Sequence, residues 1–158
     1  MDHQSLLQTI AEVGATFAGL AAVIAAIRGE KLDESSVFAV RDVIEASIIV
    51  TMSALIPFLF FGFELSELDA WKGSLLVTYS LAGIGLFASL RRARKMWLEN
   101  IWLLIFAIAS WLPMTCWVAA ALLDYYSKPD MVLIVLLIGL QGFAALMFLQ
   151  TLLPRRGT

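Results

Sequence analysis

Five apolar stretches, at about residues 6–27, 43–63, 73–90, 101–123 and 131–153, dominate this chain, and short charged breaks separate them. A helix needs about 20 apolar residues to cross a hydrocarbon core of about 30 Å. The third stretch, at about 18 residues, is the shortest. The chain is 61% hydrophobic and 15% charged, with mean hydropathy +0.87. A soluble domain of 158 residues with that composition would expose too much apolar surface. The expected fold is an all-α integral membrane protein, a single domain over residues 1–158 built as a bundle of five transmembrane helices. Short connections make consecutive helices antiparallel.

The basic residues set a direction. Arg28, Lys31, Arg41, Arg91, Arg92, Arg94, Lys95, Arg155 and Arg156 fall on one side of a five-span chain, and only Lys72 and Lys128 on the other. Cytoplasmic loops carry the excess of Lys and Arg, which predicts an outside N-terminus and a cytoplasmic C-terminus. Four spans would put the basic tail opposite the other basic loops. Trp71, Tyr125 and Tyr126 fall at the expected outer boundary, and Trp97 and Trp102 at the inner one, as interfacial aromatics do. "MDHQSLLQTIAEV" has no basic n-region, so the first span is expected to stay as an anchor.

The same composition narrows function. No basic tract with interleaved aromatics occurs, so no nucleic-acid partner is expected. Cys116 is the only cysteine and His3 the only histidine, which leaves no internal disulfide, no Cys-based metal cluster and no bis-His haem. No HExxH, no GxSxG and no paired intramembrane carboxylates appear, so neither an enzyme, a cofactor nor a metal is expected.

Polar residues inside a span are costly and mark function or packing. In the first span, Ser5, Gln8, Thr9, Glu12, Ala15, Thr16, Gly19, Ala22 and Ala26 share one helical face. The opposite side carries Leu6, Ile10, Val13, Phe17, Leu20, Ile24 and Ile27. The small, polar face suits either a tight helix seam or a pathway lining. The unbroken run from Val13 to Ile27 is only about 22 Å long, so the turn holding Glu12 must also enter the bilayer. No basic residue lies at that depth in another span. Glu12, Gln8, Thr16 and Gly19 are the candidate lining of a pathway.

A weaker stripe, Ser74, Thr78, Ala82, Gly85 and Ser89, marks the third span, and Gln141 lies deep in the fifth, where its amide needs a partner on another helix or water. Pro57 and Pro113 each remove a backbone hydrogen bond and should kink their helices, with Ser53 and Ser110 a turn earlier to satisfy freed carbonyls.

Arg41, Asp42 and Glu45 stand where the second apolar run begins. Ser35 or Ser36 can cap a helix running from about 36 to 63, about 41 Å long, which overhangs the hydrocarbon. Arg41 and Glu45 are then an i,i+4 pair in a solvated helix entrance. The alternative is a set of charges at the cytoplasmic mouth of a pathway formed with the first span.

"TFAGLAAVI", the "RD" before "AS", "ALIP", and Trp71 with Ser74 resemble a family of small uncharacterised bacterial inner-membrane proteins. Phe17, Ala18, Gly19, Leu20, Arg41, Ser47, Leu55, Pro57, Trp71 and Ser74 carry the resemblance, over the first half of the chain. It implies a multi-pass protein of the bacterial cytoplasmic membrane and brings no activity with it.

Two functions then compete. One is a homo-oligomeric channel or transport pore for small cations, lined by the polar face of the first helix. Asp2, Glu64, Glu67, Asp69, Asp124 and Asp130 would make its outer face acidic. The other is a structural or accessory subunit that meets other membrane subunits through small-residue seams. In both, the lipid bilayer is a partner.

Overall fold

The computed structural model describes residues 3–28, 34–63, 65–92, 101–125 and 128–152. These form five helices: α1 (His3–Arg28), α2 (Glu34–Gly62), α3 (Glu67–Arg92), α4 (Ile101–Leu122) and α5 (Pro129–Leu152). No strand occurs among the described residues. Four of them, α1, α2, α3 and α5, are long and apolar enough to cross a membrane, while α4 is shorter.

The helices alternate in direction. His3 at the start of α1 contacts Asp130 at the start of α5, and its ring meets the edge of Trp71 near the start of α3. Phe61 at the end of α2 also meets Trp71, and Lys72 pairs with Asp124 just after α4. At the opposite end, Ala21 of α1, Val40 and Val43 of α2 and Met147 of α5 form one buried cluster. Arg92 at the end of α3 reaches Asp42 and Glu45 near the start of α2. Each helix therefore runs back along its predecessor. Arg41, Arg91 and Arg92 share one end of the bundle with the cluster around Val43, and Lys72 stands at the other.

Helix starts follow local chemistry. Ser66 caps α3: its Oγ accepts the Asp69 amide at 3.2 Å and donates to the Asp69 carboxylate. The first of these bonds satisfies one of the amide donors that a helix start otherwise leaves open. The second helix begins at Glu34, ahead of both expected caps, and its 29 residues reach about 43 Å. Asp124 takes a left-handed backbone (φ 63°), closing the tight turn after α4.

α2 is the central helix, packed against α1, α3 and α5, while α4 joins through α3 and α5. Between apolar helices in lipid there is little hydrophobic drive, so close packing must supply the attraction. The α1–α2 crossing shows how. A Cβ at Gly14 would stand 2.6 Å from Thr51 Oγ1 and 3.1 Å from the Ser47 carbonyl. Only a glycine lets the two backbones come this close. Thr51 Oγ1 donates to the Ser47 carbonyl at 2.8 Å and lies 3.4 Å from the Ala11 carbonyl. The seam of α1 thus runs along Leu7, Ala11, Gly14 and Ala21, all buried. The small, polar face stays outside this seam, while Ile10 of the apolar side is buried beside it, because backbone approach is set by side-chain size.

The weaker stripe of α3 is also a seam. Ser74, Thr78, Ala82 and Ser89 are buried and Gly85 is half-buried. Trp71 is buried too, with 7% of its surface exposed, so it packs the bundle end and does not serve an interfacial belt. Tyr125 is exposed as a belt residue would be. Tyr126, Trp97 and the side chain of Trp102 lie outside the described residues. Pro57 is buried inside α2, but Ser53 Oγ has no hydrogen-bond partner, so it does not satisfy a freed carbonyl. Pro113 is exposed within α4, and the Ser110 side chain lies outside the described residues.

Candidate functional site

Two places gather the polar groups that the bundle does not use for packing. The first is the outward face of α1. Gln8, Thr9, Glu12, Ala15, Thr16, Gly19, Ala22 and Ala26 are all exposed, because α1 turns its Leu7–Ala11–Gly14–Ala21 side to α2. Thr9 and Thr16 donate back to the carbonyls of Ser5 and Glu12, at 2.9 and 2.8 Å. Gln8 Nε2 donates to Glu12 Oε1 at 3.0 Å, one turn along the same face. A Cβ placed on Gly19 meets nothing within 4 Å. Among the described residues, nothing covers this row of polar and small side chains.

The second place is the charged cluster at the opposite end. Arg41 points outward, with 58% of its side chain exposed, and its Nε donates to Glu45 Oε1 at 2.8 Å. That much is the i,i+4 pair expected of a solvated entrance. Asp42 departs from it. Only 5% of Asp42 is exposed, because the helical turn aims it at α3. There Ser89 Oγ donates to Asp42 Oδ2 at 2.8 Å. Arg92 Nη2 bonds Glu45 Oε2 and stands 3.9 Å from Asp42 Oδ1, too far for a hydrogen bond. Asp42 Oδ1 is buried and has no hydrogen-bond partner among the described residues.

Asp42 is also among the residues that line a cavity of about 270 Å³ between α2, α3, α4 and α5. Its walls are mainly apolar, with Ile49, Leu86, Trp111, Met114 and Phe143 among them, and Asp42 and Glu45 are the charged residues of the lining among the described residues. Small residues at Ala46, Ala82, Gly85 and Gly139 leave the space open. Tyr79 stacks on Trp111 and its hydroxyl meets Thr115 Oγ1, holding α4 against α3.

Gln141 contacts neither place through a hydrogen bond. Among the described residues, both its amide atoms are buried without a partner, so the interhelical bond expected of it is not formed there. Gln8 and Glu12 lie towards the start of α1, whereas Arg41, Asp42 and Glu45 gather with the end of α3. The two sets of sequence candidates therefore do not converge on one site in a single chain. Sequence reasoning missed Ser89 and Arg92 as partners of Asp42, and missed the cavity. The one available signal was the row of small residues on α3, which ends at Ser89.

No family model, no curated protein and no solved structure matches this chain. Function is therefore argued from the two places above.

Proposed function

We propose that the chain forms a homo-oligomeric pathway for small cations across a bacterial inner membrane, with the outward face of α1 turned to a shared axis. The observation that carries this reading is the uncovered row of Gln8, Glu12, Thr16 and Gly19. Facing lipid, a carboxylate and an amide would lie in hydrocarbon, at a cost of a few kcal/mol for an ionised group. Facing an axis, they meet water and their symmetry mates. A ring of carboxylates, one Glu12 per subunit, attracts and selects cations. All five helices then span, with the Lys72 end outside and the Arg91–Arg92 end in the cytoplasm, following the nine-to-two division of basic residues.

The small residues of the same row favour a second reading. Ala15, Gly19, Ala22 and Ala26 form a flat strip on which the helix of a different membrane subunit can pack closely. Native mass spectrometry of the purified protein in a lipid-like detergent separates the two. The pore reading expects a closed homo-oligomer that Gly19→Leu disperses to folded protomers, since the protomer itself has room there. A wild-type protein that stays monomeric removes the pore reading and favours the accessory one.

A further inference from the structure

The geometry points to one outward side of the α2–α3 pair as a seat for an anionic phospholipid, its phosphate between Arg41 and Arg91 and an acyl chain against Ile48 and Ile84. The proposal needs α2 and α3 to span a bilayer but makes no use of the α1 pathway. Each of the four residues stands one position before a residue that faces the opposite helix. Arg41 precedes Asp42, to which Ser89 of α3 donates. Ile48 precedes Ile49, whose Cδ1 would stand 2.8 Å from a Cβ on Gly85 of α3. Ile84 precedes Gly85, and Arg91 precedes Arg92, which reaches Glu45 of α2. One position is a step of about 100° around a helix. Because α2 and α3 run antiparallel, equal backward steps from their shared contacts lead to the same side of the pair. All four residues are exposed. Their heights match as well. Arg41 to Ile48 and Arg91 to Ile84 are both seven positions, about 10 Å along the axis. The headgroup layer is about 5–7 Å deep on each side of the hydrocarbon, so a phosphate at the arginines puts both isoleucines beside the first part of an acyl chain.

The charges favour an anion. Within this cluster the carboxylates of Asp42 and Glu45 stand against three guanidinium groups, those of Arg41, Arg91 and Arg92, which leaves one positive charge in excess. Asp42 is turned inward, and the two oxygens of Glu45 are committed to Arg41 and Arg92. Arg41 gives Glu45 only its Nε. No ion pair among the described residues includes Arg91, whose guanidinium lies 5.2 Å from the centre of the exposed Phe87 ring. Guanidinium forks match phosphate oxygens in shape and charge. Basic groups at the end of spanning helices recognise anionic headgroups, whereas a zwitterionic lipid would add an ammonium to a cluster that is already cationic. A second copy docked symmetrically on this side would bring each arginine towards like-charged mates, which disfavours that occupant.

The test uses the full chain, delipidated in an uncharged detergent and followed by native mass spectrometry. Dioleoyl phosphatidylglycerol and dioleoyl phosphatidylcholine are the probes, since they share acyl chains and phosphate and differ in net charge. One phosphatidylglycerol per chain should be retained at least about tenfold more tightly than phosphatidylcholine, the size expected of two arginines beside an anionic headgroup. The double variant Arg41→Ala, Arg91→Ala should lose that preference at unchanged circular dichroism, because both side chains are exposed. Lys72→Ala, at the other end of the bundle, should keep it. In liposomes, phosphatidylglycerol with a diazirine on its upper acyl chain should label the peptides holding Ile48 and Ile84, and the double variant should lose that labelling. Equal retention of the two lipids overturns the proposal. So does a preference that survives the double variant, or labelling that falls mainly on α1 or α5. A double variant that changes oligomeric state while retaining the lipid makes this side a contact between copies and also overturns it. Should the double variant fail to fold, Arg91→Gln and the labelling pattern of the parent protein still decide.

Discussion

Asp42 and Arg41 are adjacent in sequence and live in different surroundings. Successive residues on a helix point about 100° apart, so one looks to the surface and the other into α3. The consequence is measurable. Arg41→Ala removes an exposed i,i+4 partner and should cost about 0.3–0.5 kcal/mol in a reversible unfolding titration. Arg92→Ala removes a donor that Glu45 uses and the cation nearest to Asp42, and should cost about 1–3 kcal/mol in the same titration. Equal costs for the two would mean that the cluster is solvated throughout. Sequence alone revealed the Arg41–Glu45 pair because its spacing lies within one helix. It did not reveal the burial of Asp42, because Ser89 is 47 positions away and its approach depends on how α2 and α3 pack.

At the scale of the helix, size and polarity sort differently around α1. The outward polar row was legible, since a few polar residues at helical spacing stand out in an apolar run. The seam with α2 was written in the sequence as well, as Ala11, Gly14, Ala18, Ala21 and Ala25 at spacings of three and four. It went unread because a stripe picked by polarity passes over alanine and glycine that flank large apolar residues. Gly14 is the pivot of that crossing. Gly14→Ala should push Thr51 and the Ser47 backbone away and destabilise the protomer by about 1–3 kcal/mol, the usual cost of overpacking. Gly19→Ala, one face away and in open space, should be close to neutral. Loss of stability at Gly19 with none at Gly14 would contradict the packing described for α1.

For the whole molecule, five helices in alternating directions place the described arginine side chains at one end and Lys72 at the other. Bundle architecture was legible from apolar run length and short connections, whereas the cavity was not. It arises where small residues of α2, α3 and α5 face one another beneath α4, a coincidence of four helices that no single stretch encodes. If the arginine-rich end is cytoplasmic, a tag at the N-terminus should be labelled from outside intact cells and a tag at the C-terminus should not. Labelling of both termini from the same side would remove the five-span topology. Flux measurements decide whether the outward row of α1 lines a shared cation pathway. In proteoliposomes of purified protein, Glu12→Gln keeps the side-chain shape and removes the charge. The parent protein should take up cations, and Glu12→Gln should reduce that uptake by about tenfold at unchanged particle size, the loss expected when one selecting charge per subunit is removed. Equal cation flux in the two proteins would contradict it.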